Sequence, residues 1–192
     1  RLIMLNLSKK LEDNLIIGND VYPLDLSFGK VLRVFELLQD SEIQEEIKPY
    51  LALQMLTGAN FSNFDLIEVN EILEEVFKEH IVNEKTQAIE YDLAGNPMPV
   101  QQKKEEERVY SLKYDADYIF ASFFQAYGID LIEERQKLHW KKFNAMLNGL
   151  PSDTKFMEVL KIRSWKPSKS DSTEYKEHMR KLQQEYELPY EE

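Results

Sequence analysis

The sequence predicts a mainly α protein: one helical domain of about six helices, with a small N-terminal β-hairpin and a mobile central loop. Three observations predict it. Apolar residues recur at helical spacing from Ser27 onward, interrupted once between 83 and 110. Three acidic capping signals, at Asp65, Asp130 and Asp171, each precede an apolar stripe. Ahead of them, two short runs rich in β-branched residues flank Gly18-Asn19-Asp20, residues that tolerate the positive φ of a tight turn.

Residues 1–26 read as the hairpin and extended chain, with Leu15-Ile16-Ile17 facing Val21-Tyr22-Pro23-Leu24. Pro23 cannot donate to a ladder, so the second strand is an edge or ends there. Residues 27–82 hold the first helices. Behind a Ser27 N-cap, Phe28, Val31, Phe35 and Leu38 form one stripe, closed at Asp40-Ser41. The helix begun at Ser41 should kink or restart at Pro49, which would cost a helix interior about 3 kcal/mol, and stop near Gly58. Asp65-Leu66-Ile67-Glu68 is a capping box opening the stripe Leu66, Val69, Leu73, Val76, Phe77 and His80. Residues 83–110 lose periodicity and read as a flexible linker loop, with a short ribbon around Ala88-Ile89-Glu90-Tyr91 as the alternative.

Residues 111–165 carry the densest apolar signal. Tyr118 through Tyr127 is apolar around much of a helix, which predicts a core helix buried on more than one side and capped at Gly128. The Asp130–Glu133 box then predicts an antiparallel partner reached by a very short turn, with Ile132, His139, Phe143, Met146 and Leu150 along one side. A shorter helix starts at Ser152 or Asp153 and packs Phe156, Val159, Leu160 and Arg163. Residues 171–188 form a C-terminal amphipathic arm with the narrow stripe Tyr175, Met179, Leu182 and Tyr186, docking on this body or on a partner.

Composition bounds the function. With 24 Lys and Arg against 35 Asp and Glu, the chain carries a net charge of −11, and it has no cysteine. Disulfides, thiolate metal sites and Cys nucleophiles are excluded together, and a reducing cytoplasm fits. No apolar run suits a membrane span, and the first seven residues do not suit a signal peptide. His80, His139 and His178 share no i,i+3 or i,i+4 spacing, so no metal site is expected. Asp115 and Asp117 are read as first-turn acids complementing a helix dipole in preference to a catalytic pair. No phosphate loop, nucleophile elbow or zinc-protease helix occurs; no catalytic residue and no cofactor are expected. Between 137 and 169, eight cations (Lys137, Lys141, Lys142, Lys155, Lys161, Arg163, Lys166, Lys169) face only Asp153 and Glu158. With Trp140 and Trp165 nearby this region could serve a nucleic-acid-binding regulator, but the overall charge makes an acidic protein surface the better counterpart.

The run 118–131, followed by Leu138-His139-Trp140-Lys141-Lys142-Phe143 and Leu147 through Phe156, resembles the bacteriophage gene-product-fifteen family. Tyr22-Pro23-Leu24 with Phe28, and Tyr175 through Pro189, resemble its opening and closing segments. Two positions depart from the family pattern: Lys141 stands where a second Trp is common, and Gly29 where an Arg is. The resemblance implies a non-enzymatic tail assembly protein in the host cytoplasm. Most directly it implies a chaperone for the tape measure protein or a partner of a sibling tail chaperone, with a homo-oligomer as a further partner state and no membrane. A structural component of the mature tail or its tip is the alternative. For such a role the candidate partner contacts are Phe124, Trp140 and Phe143, if exposed, and the arm residues Tyr175, Met179, Leu182 and Tyr186.

Overall fold

A computed structural model describes residues 7–82 and 109–189. The loop and ribbon readings for 83–110 fall almost wholly outside the described residues. Mainly α architecture with an N-terminal hairpin is what the chain adopts: two strands, seven α-helices and one π-helical turn among the described residues. They divide into two compact units, 7–82 with 133–145, and 109–132 with 146–189.

In the first unit, β1 (Asn14–Ile17) and β2 (Asp20–Pro23) pair antiparallel, with Ile17 opposite Asp20 across a turn in which Gly18 takes φ +61°. Pro23 sits at the end of β2, as its missing N–H requires. Leu15 points into the core, and Tyr22 lays its ring 5.4 Å from Phe61. On the other face Ile16 and Val21, directly paired, are 65% and 58% exposed.

Helix α1 (Phe28–Gln39) begins where Ser27 was expected to cap it, but the Ser27 side chain makes no cap hydrogen bond. The first N–H groups are satisfied from a distance. Phe28 N–H donates to Leu138 O at 2.9 Å and Gly29 N–H to Arg135 O at 3.0 Å, while Lys30 and Val31 donate to Ser27 O. The expected box at Asp130 also works otherwise: Asp130 accepts the Ile132 N–H in a local turn, and the next helix starts only at Trp140. Continuing a helix through 131–138 would consume the same Arg135 and Leu138 carbonyls that α1 uses. A chain approach this close explains Gly29, since a Cβ there would lie 2.7 Å from Arg135 O.

The helix expected from Ser41 does not form, 41–47 running as turns; α2 (Lys48–Thr57) begins one residue before Pro49 and ends on Gly58 at φ +73°, and α3 (Leu66–Val76) carries the complete Asp65–Glu68 capping box. After α3 the backbone widens into a π-helical turn, Phe77–Ile81, closed by Val82 N–H to Phe77 O at 2.7 Å. Val31, Val34, Ala52, Leu53, Leu56, Phe61, Val69 and Val76 form the core of this unit.

In the second unit, α4 (Ala116–Tyr127) buries Ile119, Ser122 and Phe123. Phe120 is half-buried and Phe124 exposed, so α4 is enclosed on one face and not all round. α5 (Trp140–Asn148) contributes its end to this unit through Leu147, followed by Leu150. α6 (Lys155–Arg163) buries Phe156, Val159 and Ile162, with Leu160 half-buried. Its start is fixed by the buried Ser122 hydroxyl, which accepts the Phe156 N–H at 3.0 Å. α7 (Thr173–Glu185) is capped by Ser172, one residue later than expected, because Asp171 accepts from Ser168 N–H instead.

Gly29→Ala tests the close approach at the start of α1. Helix propensity alone would favour alanine by about 1 kcal/mol. The contact with Arg135 reverses the sign, and a net loss of about 1–3 kcal/mol is expected in urea unfolding.

Candidate functional site

Asp13 precedes β1 and is held there by its carbonyl, which accepts the Leu24 N–H at 2.9 Å. Its side chain is 8% exposed and accepts three donors from distant parts of the sequence. His80 Nδ1–H (2.9 Å) and Lys141 Nζ (2.7 Å) donate to Oδ1, and His139 Nε2–H (2.8 Å) to Oδ2.

Each donor is placed by a separate backbone device. The π-helical turn sets His80 toward Asp13 while turning Ile81 inward. The Ser27–His139 bridge sets His139, and Trp140 N–H to Leu26 O at 2.7 Å fixes the next residue. The Trp140 indole N–H then donates to Ile81 O at 2.8 Å, tying the π turn to α5.

Burial pushes the Asp13 carboxyl up, but the hydrogen bonds from His139, His80 and Lys141 outweigh it and hold the group well below the usual carboxylate range. His139 Nδ1 accepts the Lys141 backbone N–H, which assigns the ring proton to Nε2. With both nitrogens engaged, His139 has no lone pair left for a substrate. A shallow depression of about 350 Å³ lies over the cluster, lined by Leu11, Glu12, Asn14, Pro23 and Leu24 with Asp13 and His139. Among the described residues no group of His, Cys, Asp and Glu has the arrangement of a metal site.

The second unit has a carboxylate of its own. Asp115, 1% exposed, takes a bidentate contact from Arg163 at 2.8 and 2.7 Å and accepts the Ser111 N–H at 2.9 Å. It makes no cap bond to α4, so the dipole reading of Asp115 is corrected to a buried ion pair. Asp117 stays an exposed first-turn acid.

The sequence-predicted contacts separate by burial. Trp140 and Phe143 are 5% and 2% exposed. Phe143 stacks on Phe28 at 4.8 Å, and Trp140 packs between Phe143 and Phe35, so both are core residues and drop out as partner contacts. Phe124 is 57% exposed and stacks on Phe120 one turn back. The arm docks on its own unit. Met179 is buried, Leu182 and Tyr186 are half-buried, and Tyr175 remains exposed, edge-on to Trp165 at 5.9 Å. His178 is exposed on α7.

Of the eight cations, four face acids: Lys137 on Glu134, Lys141 on Asp13, Lys155 on Glu158 and Arg163 on Asp115. A nucleic-acid surface would need those charges free. Sequence reasoning missed Asp13, the buried Lys48 donating to Leu38 O and Glu45, and Gln183. Only the polarity of Asp13 and Lys48 beside apolar runs hinted at them.

A family model for the Bacteriophage Gp15 protein matches residues 11–188. The chain belongs to this bacteriophage Gp15 family. The match begins two residues before Asp13 and ends after α7, so both carboxylate clusters lie within the Gp15 region. No curated protein and no solved structure matches the chain significantly. Among the described residues no helix is long and apolar enough to cross a membrane.

Asp13→Asn keeps the shape and removes the charge, leaving Lys141 enclosed without its partner. A loss of about 3–5 kcal/mol is expected at pH 7. Because the folded carboxyl is depressed, its stabilisation is fully present above the unfolded value near 4 and fades as pH falls below it. The gap between wild type and variant in urea unfolding should therefore hold from pH 7 down to about 4 and narrow only below that, and a gap unchanged between pH 4 and about 2 would refute the ionic account.

Proposed function

We propose that this phage protein works without catalysis in tail assembly, in the host cytoplasm, as a chaperone that binds the tape measure protein. Membership of the Gp15 family supports a phage role, and the exposed face of α4 carries the finer reading. There the Phe120 and Phe124 rings stack at 6.4 Å with Phe124 open to solvent. From Asp117 to Gly128 the same helix offers no further charge. An uncharged aromatic surface on a chain of net charge −11 suits reversible cover of a partner's apolar helix, the acidic exterior keeping the assembly dispersed.

Co-expression with the tape measure protein of the same phage tests this. The native chain should raise the soluble fraction of that protein and co-purify with it. Phe124→Asp should lower the co-purified amount by about tenfold or more while leaving the melting temperature unchanged. An insoluble tape measure in the presence of native chain would sink the proposal.

A further inference from the structure

The outer face of the hairpin runs into the depression over Asp13, and together they make one surface of the first unit. In the β1–β2 register Asn14 lies opposite Pro23 and Ile16 opposite Val21. Alternation puts these four on the face turned away from Leu15 and Tyr22. Asn14 and Pro23 also line the depression, so the exposed pair Ile16 and Val21 stands next to it. Asp13 belongs to the same lining. A carboxylate offers about four acceptor positions. Among the described residues three are used, two at Oδ1 by His80 and Lys141 and one at Oδ2 by His139, which leaves Oδ2 able to accept once more. Lys141 answers the Asp13 charge, so the charge still open in the lining is that of Glu12. Its ion pair with Lys10, at 3.7 Å between side chains 69% and 86% exposed, holds it weakly. Leu11, Pro23 and Leu24 make the rest of the walls apolar, and about 350 Å³ gives room for one long side chain.

We infer that this surface binds an extended segment of a partner protein presenting a lysine side chain at i and a β-branched apolar one at i+2. The lysine stem lies along Leu11, Pro23 and Leu24, and its ammonium donates to Asp13 Oδ2 and pairs with Glu12. The residue at i+2 covers Ile16 and Val21. Spacing selects the extended form. The Asn14–Pro23 and Ile16–Val21 pairs are two residues apart along the hairpin, about 6.8 Å, which is the repeat of same-face side chains in any strand. Charge selects a cationic partner: a net −11 attracts it at long range and repels a second copy of this chain. The site lies wholly in the first unit and stands whether or not the Phe124 face binds the tape measure protein.

The peptide acetyl-Thr-Lys-Thr-Val-Thr-amide, titrated into the full ¹⁵N-labelled chain and followed by amide chemical shifts, tests this. Shifts should be confined to residues 11–16, 21 and 24 and saturate at about millimolar peptide. Norleucine in place of the peptide's lysine keeps the stem without the charge and should weaken binding by about tenfold. Glu12→Gln in the chain should weaken it by about threefold. Ile16→Ser should act in the same direction, and if it loses its native circular dichroism, Val21→Thr, which keeps the β-branched shape, replaces it. Absence of shifts around the depression at millimolar peptide would overturn the inference, as would equal binding of the norleucine peptide. Butylammonium binding as tightly as the peptide, or full affinity in the hairpin variant, would leave the hairpin face without a part and overturn the assignment to a partner segment. Shifts at the same amides that follow the chain's own concentration would give the surface to a second copy and equally overturn it.

Discussion

The Asp13 carboxylate brings a full negative charge to a place that water barely reaches, and the fold around it follows from satisfying that charge. An uncompensated carboxylate there would cost several kcal/mol. Three donors arrive from residues 67, 126 and 128 positions away, so the hairpin, the π-helical turn and the start of α5 must all be in place before the charge is met. The π turn is intelligible on the same basis. A regular α-turn has one residue fewer between Phe77 O and its N–H partner. The wider loop lets His80 face Asp13 while Ile81 turns inward and offers its carbonyl to Trp140.

What was legible in the sequence was what the chain decides locally. The hairpin turn at Gly18, the helix start beside Pro49, the Gly58 and Gly128 caps and the Asp65–Glu68 box each depend on a few consecutive residues, and each occurs. The failures share a different cause. Ser27, Asp130 and Asp171 are sound capping residues whose neighbours found better partners. The α1 amides took carbonyls from 135 and 138, which denied the Asp130 box its helix, and Asp171 was drawn back to Ser168. The clusters at Asp13 and Asp115 were illegible because no spacing rule joins residues so far apart, and a lone Asp beside a strand looks like a turn residue. Trp140 and Phe143 were ambiguous in kind, since an aromatic stripe reads alike whether it faces a core or a partner.

Charge is distributed by one rule in both units. Each has a nearly inaccessible carboxylate answered by a cation from a later helix, Lys141 in α5 for Asp13 and Arg163 in α6 for Asp115. In an acidic chain this spends scarce cations internally. The consequence falls on the surface: Glu71, Glu74 and Glu75 of α3 are exposed, with no ion pair among the described residues. Each internal pair withdraws one charge of either sign, so the rest of the chain keeps the net charge of −11, and like charge of that sign opposes self-association.

That exterior also bears on α4. Packing its own unit requires the stripe through Ile119, Ser122 and Phe123; Phe124 lies outside it and Phe120 only partly within. Scattered exposed apolar residues need no special reason, and Ile67 or Ile132 can stand as such. Two stacked phenyl rings on a solvent-facing helix are a different case. They occupy helix surface where charged residues would serve solubility better, and the net charge of −11 works against their meeting the same rings on another copy. A surface that is adhesive to apolar helices and self-avoiding by charge separates two tasks that a purely hydrophobic patch would confuse: capturing a foreign helix and refusing an identical neighbour. Under the proposed role, weakening the negative charge should promote self-association through the same rings that would meet the partner, so that solubility and partner binding would be read from one patch of α4.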